Sequence, residues 1–167
     1  MKYLKVLIPA AGKGTRSKLN YPKTLFKINN KPILIRILKN TKKIDSSPSI
    51  IVSPDGKKLI SSTVKKYGYS AELITQNNPT GMGDAVLNFK KSLYYKTTKN
   101  ILLIWGDIPF IKSSTFSKLI NCHLANKNDF TFITGISKKP YTLVKRDKYH
   151  KVISVKETKN AKIKVNK

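Results

Sequence analysis

Apolar and polar positions change period along the chain, and each change marks an element. Leu4, Val6, Leu7 and Ile8 make a short apolar run closed by Pro9, which predicts a buried strand over residues 3–8. Phe26 to Pro32 reads as a short extended piece with Asn29-Asn30 as turn residues. From Pro32 the apolar positions shift to helical spacing, with Ile33, Ile37, Leu34 and Leu38 on one face to about Lys42. Ser49–Val52 predicts a second buried strand. Pro54-Asp55-Gly56 then leads into a helix with Leu59, Ile60, Val64 and Tyr67 turned inward and Gly68 as its stop. Ala71–Ile74 is a third strand, followed by a helix with Ala85, Val86, Phe89 and Leu93 facing in. Ile101–Trp105 is the strongest strand signal of all. Ser113-Ser114 should cap a helix carrying Phe116, Leu119, Ile120 and Leu124. Phe130–Thr134 predicts a fifth strand. Tyr141–Lys145 and Val152–Val155 predict a hairpin around Asp147-Lys148-Tyr149-His150.

Strands and helices alternate at least four times. The fold class this predicts is α/β: a Rossmann-like, doubly wound, mostly parallel sheet with helices on both faces and a small β-hairpin near the C-terminus. In such sheets ligands bind beyond the carboxyl ends of the strands. Loops following separate strands should therefore converge there.

Composition narrows the classes. With 167 residues, 40% hydrophobic and 9% aromatic, the chain can bury a real core. No apolar run approaches the roughly 20 residues of a membrane span, and the run after Met1-Lys2-Tyr3 is too short for a signal-peptide core. A cytoplasmic protein without a membrane partner is expected. Its single cysteine, Cys122, rules out an internal disulfide and reads as a buried or half-buried small hydrophobe. The net charge of +26 comes from 34 Lys and Arg against 8 Asp and Glu. Only Arg16, Arg36 and Arg146 are arginine, and the lysines are spread along the whole chain. Readers of nucleic acid lean on the arginine fork, and no zinc-finger spacing or aromatic RNA-binding motif accompanies the charge. Specific nucleic-acid binding is not expected; attraction of anionic nucleotides is. His123 and His150 show no partner in the sequence and read as surface or structural. An oligomer is left open.

The chemistry gathers in three loops. After the first strand come Ala10, Ala11, Gly12 and Gly14, where glycine permits φ > 0 and close backbone approach to a ligand. Arg16 follows, and Pro22 stiffens the chain before Lys23. Gln76 and Gly81 stand on a second glycine-containing loop after the third strand. Gly106-Asp107 follows the strongest strand. A carboxylate there can hold Mg²⁺, which takes few protein carboxylates and leaves room for phosphate oxygens, while Gly106 lets the backbone pass close to a ligand. Two cations and a metal are what phosphoryl or nucleotidyl transfer requires, with no nucleophilic side chain when a substrate phosphate attacks. The loop is neither a Walker loop nor a dinucleotide fingerprint.

These motifs in order resemble the sugar-1-phosphate nucleotidyltransferases of GT-A-like, nucleotide-diphospho-sugar transferase fold. The run Leu7-Ile8-Pro9-Ala10-Ala11-Gly12-Lys13-Gly14-Thr15-Arg16 with Tyr21-Pro22-Lys23-Thr24-Leu25 is similar to their N-terminal fingerprint. It is most similar to that of the N-acetylglucosamine-1-phosphate uridyltransferase domain. Gln76 with Gly81-Met82-Gly83-Asp84-Ala85 resembles the base-recognition segment, Asp84 standing where the family has histidine. Trp105-Gly106-Asp107-Ile108-Pro109 resembles the metal motif. Pro140 to Ala161 resembles the sugar-side hairpin, with Thr142 in place of a glycine.

The resemblance implies a nucleotidyltransferase that moves NMP from an NTP, UTP first, to a sugar 1-phosphate and releases pyrophosphate. Arg16, Lys23 and Asp107 would be catalytic, with Asp107 binding Mg²⁺. Ala10, Ala11, Gly12, Gly14, Gln76 and Gly81 would hold the nucleotide, and Glu157 the sugar. Cytidylyl or thymidylyl transfer to another phosphorylated small molecule, or a nucleotide-binding module without turnover, are the alternatives. The family takes a sugar-binding asparagine and a second metal-binding aspartate from beyond this length. The expectation is thus one nucleotidyltransferase domain over 1–167, truncated on its acceptor side.

Overall fold

The computed structural model describes residues 4–12, 19–78, 80–138 and 140–157. It divides into two compact units, Met1–Asn121 and Cys122–Lys167. The first is built on a parallel sheet. Strands β1 (Leu4–Pro9), β4 (Ser49–Val52), β5 (Glu72–Thr75) and β6 (Asn100–Leu103) lie in the order β5-β4-β1-β6. The register pairs Leu7 with Ser49 on one side of β1 and with Leu103 on the other. From β1 the chain moves outward through β4 to β5, then returns to the opposite side of β1 at β6. That reversal is the topological switch at which open α/β sheets place their ligands.

Alternation along β1 sorts the core into two faces. Val6 and Ile8 join Ile50 and Val52 on one face. There they pack against α1 (Ile33–Thr41), α2 (Pro54–Lys66) and α4 (Ser113–Ala125) through Leu34, Leu38, Ile60, Val64, Phe116 and Ile120. Leu7, Ile51 and Ile74 face the other way, onto Ala85 of α3 (Met82–Leu87) and Phe89 of the 3-10 helix Asn88–Lys91. Helices thus cover both faces, as the alternation predicts. Among the described residues no helix is long and apolar enough to cross a membrane.

Between β1 and α1 the chain makes a two-residue hairpin, β2 (Lys27–Ile28) with β3 (Lys31–Pro32). Asn29 and Asn30 take φ of 47° and 58°, the left-handed pair that a tight hairpin requires. Ser53 caps α2 by accepting from the Gly56 amide at 3.1 Å, and Gly68 leaves that helix at φ 71°. Lys5 is buried on the sheet, paired with Asp45 at 3.3 Å and set 3.7 Å from the centre of the Tyr94 ring.

Several expectations need correction. Leu59 and Leu93 are exposed, at 44% and 88%, not inward. Leu59 falls on the outer side of α2. Leu93 lies beyond the point where α3 has tightened into a 3-10 helix ending at Lys91, which breaks the helical spacing. Ile101 and Leu103 of β6 are also exposed, because β6 is an edge strand among the described residues and only Leu102 turns to the core. Ser113 and Ser114 lie within the first turn of α4 instead of preceding it.

The second unit holds the end of α4 and an antiparallel hairpin, β7 (Thr142–Arg146) with β8 (Val152–Glu157). Its turn is tied by Asp147, whose carboxylate accepts from the amides of Tyr149 and Lys151. Phe130–Thr134 forms no strand. It has no ladder partner among the described residues, and its apolar alternation is spent on a Phe130–Phe132 ring contact. Leu124 and Cys122 point outward from α4, so Cys122 is an exposed free thiol and not a core hydrophobe. His123 does have a partner: its Nδ1 lies 3.1 Å from the Thr131 hydroxyl.

Candidate active site

The carboxyl ends of the sheet strands open into a cavity of about 750 Å³, within the usual range for small-molecule sites. Its lining comes from the three loops singled out in the sequence. Pro9, Ala10, Ala11 and Gly12 follow β1, Gln76 and Gly81 follow β5, and Trp105, Gly106 and Asp107 follow β6. Lys23 and Thr24, with Met82 and Ala85 of α3, also line it.

Lys23 opens a 3-10 turn, Lys23–Leu25, entered from Pro22 at φ −55°. The turn is anchored from below by Leu25 and Thr24, both buried. The Thr24 hydroxyl donates to the Gly106 carbonyl at 2.7 Å. The lysine therefore projects from a fixed backbone, and its Nζ reaches Asp107 Oδ2 at 2.9 Å. Both side chains keep about half their surface open to solvent, at 50% and 40%.

Gly106 works differently from the expectation. A Cβ there would sit 2.7 Å from the Pro9 carbonyl and 3.4 Å from the Thr24 hydroxyl. Its missing side chain lets the ends of β1 and β6 meet, and its amide donates to that same carbonyl at 3.2 Å. At Gly12, by contrast, nothing among the described residues lies within 4 Å of a Cβ built on it. Its backbone does not use the positive φ expected of it, whereas Gly81 does, at 139°.

Gln76 continues β5, its amide donating to the Val52 carbonyl at 2.9 Å. Its side chain is buried and its Nε2 donates to Asp84 on α3. The sequence marked Asp84 only as a departure. Thr24 was visible only as part of the lysine motif. Neither has a local signal for its role, since each acts through a partner distant in sequence or across a turn.

Six predicted residues, Ala10, Ala11, Gly12, Lys23, Gln76 and Gly81, thus share one cavity with Asp107. Gly14 and Arg16 lie outside the described residues. Glu157 belongs to the second unit, where it is exposed at the end of β8 opposite Thr142. Among the described residues no group of three His, Cys, Asp or Glu side chains gathers for a metal.

Residues 6–161 match the MobA-like NTP transferase domain. The chain belongs to this family. One relative, the bifunctional protein GlmU of Buchnera aphidicola subsp. Acyrthosiphon pisum (strain Tuc7), is 35% identical over 158 residues, 93% of this chain and 33% of the relative. The chain spans about a third of the length of the curated relatives it matches. Among solved structures, 4-diphosphocytidyl-2C-methyl-D-erythritol synthase from Anaerococcus prevotii superposes with a TM-score of 0.63 at 19% identity, covering 91% of this chain and 63% of that one. UDP-glucose pyrophosphorylase from Acinetobacter baumanii gives 0.57 at 16% identity, covering 75% and 54%. These likenesses establish the nucleotidyltransferase fold for the MobA-like chain.

Proposed function

We propose that this chain is the nucleotide-binding core of a nucleotidyltransferase that transfers UMP from UTP to a sugar 1-phosphate. The observation that carries the reading is the half-exposed Lys23–Asp107 pair, which lines one cavity together with the buried Gln76. The pair supplies a mobile cation and a carboxylate, as a triphosphate needs. Gln76 supplies a hydrogen-bonding side chain in a dry setting, as a base needs.

In this reading the glycine loop after β1 receives the nucleotide, with Gly12 leaving the space for its approach. An oxygen of the sugar 1-phosphate attacks the α-phosphorus of UTP and forms the new P–O bond. The bond from that phosphorus to the bridging oxygen breaks, and pyrophosphate leaves with the electron pair. Lys23 lowers the energy of the charge that builds on the phosphoryl oxygens, and Arg16 shares that task. Asp107 would hold Mg²⁺. A single, partly exposed carboxylate over an open cavity fits an ion that takes one or two carboxylates together with phosphate oxygens. When bound, the ion neutralises the phosphate charge. Glu157 is assigned to the sugar hydroxyls.

UTP is favoured by the resemblance to uridyltransferases. The structural neighbours include a 4-diphosphocytidyl-2C-methyl-D-erythritol synthase, so CTP is the competing donor. The test is pyrophosphate release from each NTP with Mg²⁺ against a panel of sugar 1-phosphates. Release with UTP that disappears in Asp107→Ala supports the reading. Nucleotide binding with no release in any pairing replaces it with a binding module.

A further inference from the structure

Gln76 is 2% exposed, yet it lines the cavity. A buried amide can face either way, and its sense decides whether a ligand meets a donor or an acceptor. Here the sense is set by a chain of groups that runs outward to the surface. At its outer end Lys91 Nζ donates to Asn88 Oδ1 at 2.6 Å. An ammonium only donates, so Asn88 must turn its oxygen to Lys91 and its Nδ2 the other way. That Nδ2 donates to Asp84, to its carbonyl at 2.9 Å and its Oδ1 at 3.3 Å. Asn88 is itself buried, at 9%. The other carboxylate oxygen of Asp84 accepts from Gln76 Nε2. A carboxylate only accepts, so Gln76 cannot reverse without setting its own oxygen against Asp84. Gln76 Oε1 is left as the group offered to the cavity, and it has no partner among the described residues.

We infer that Asp84 is a positioning residue for base selection: held by Asn88 and Lys91, it fixes Gln76 as an acceptor toward the nucleobase. The base selected carries a ring N–H at the contacted edge, as uracil does at N3. Cytosine, with a lone pair at that atom, is rejected. Size does not separate the two bases, so the hydrogen-bond sense must. The inference rests on the nucleotide reading of the cavity and adds to it a residue outside the contact shell.

The test is calorimetric titration of the whole chain with UTP, CTP and inorganic triphosphate in the presence of Mg²⁺, for wild type and Asp84→Asn. In Asp84→Asn the side-chain oxygen stays on Asn88 and the new NH₂ faces Gln76. Gln76 then turns over and offers Nε2 to the base. The expected result is a UTP:CTP affinity ratio that falls by about tenfold or more, the usual effect of a mismatched buried donor or acceptor. Binding of inorganic triphosphate changes by less than about twofold, since the phosphate end of the site is untouched. A general loss of structure would move both. Asn88→Ala, which frees Asp84 from its anchor, is the second variant and gives a smaller fall in the same ratio. An unchanged ratio with triphosphate binding intact, or a wild type that prefers CTP, overturns the inference and leaves the nucleotide reading standing. A wild type that binds triphosphate but no NTP more tightly overturns that reading as well.

Discussion

Lys23 and Asp107 are separated by 84 residues and meet at 2.9 Å over the cavity. The meeting is made by the fold: a 3-10 turn pinned by Thr24 on one side, the end of β6 on the other. The pair is half open to water, so its own contribution to stability is small, about 0–1 kcal/mol. That weakness suits the proposed reaction, in which the carboxylate would pass to a cation and the ammonium to a phosphate. Lys23→Ala and Asp107→Asn should each leave the thermal unfolding midpoint within a few degrees of wild type. Each should lower pyrophosphate release by about 10²–10³-fold, the usual cost of one charge-stabilising group. A large drop in the midpoint, with activity falling only in proportion, would make the pair a structural tie.

Gly12 and Gly106 line the same cavity and should respond in opposite ways to one added methyl group. In Gly106→Ala the new carbon meets the Pro9 carbonyl at 2.7 Å, and neither strand end can yield without losing its hydrogen bonds. A destabilisation of about 1–3 kcal/mol is expected, as for other overpacked sites. In Gly12→Ala the methyl meets none of the described residues within 4 Å, so stability should hold while nucleotide affinity falls. Chemical denaturation beside nucleotide titration separates the two.

The hairpin before α1 offers a stabilising change. Asn29 and Asn30 both sit at positive φ, and the preferred second residue of such a turn is glycine. Asn30→Gly removes the remaining steric cost at φ 58°. A gain of a few tenths of a kcal/mol, up to about 1, is expected in denaturant unfolding. Because the turn lies outside the cavity lining, nucleotide affinity should not change.

The alternation that placed Leu4–Ile8, Ser49–Val52 and α1 was legible because burial on one or both faces imposes a period on the sequence. The three loops were legible because glycine, proline and charged residues follow those strands directly. Two kinds of feature were not. The first is a neighbour's effect. Ile101–Trp105 reads as a buried strand from its composition, and only the sheet order shows that β6 is an edge strand among the described residues. Phe130–Thr134 has the alternation of a strand but no ladder to join among the described residues. The second is a partner's identity. Gly106 reads as space for a ligand, while the structure gives that space to the Pro9 carbonyl. Asp84 reads as a substitution in a motif, and its meaning appears only with Gln76 and Asn88 beside it.

Glu72 begins β5, the strand that leads into Gln76, and ties that strand to its surroundings. Its Oε2 accepts from the hydroxyls of Ser49 and Ser92, each at 2.6 Å, and its Oε1 from the Leu93 amide at 2.8 Å. Burial alone would push its carboxyl up. The three hydrogen bonds and the charge of Lys5 outweigh that and hold it below its ordinary value of 4.5. With the folded value depressed, the unfolded chain binds the proton first as pH falls. The ionised form therefore contributes stability in full above the ordinary carboxylate range. That contribution declines below roughly pH 5 and is gone once pH has passed through the folded value. Glu72→Gln keeps the shape but weakens the acceptor and sets an NH₂ against a donor. It should cost about 1–2 kcal/mol at pH 7. Urea unfolding of both proteins from pH 7 to pH 3 should show the gap narrowing as pH falls, because wild type alone loses this carboxylate. A gap that stays constant across that range would mean that shape, and not charge, is what Glu72 supplies.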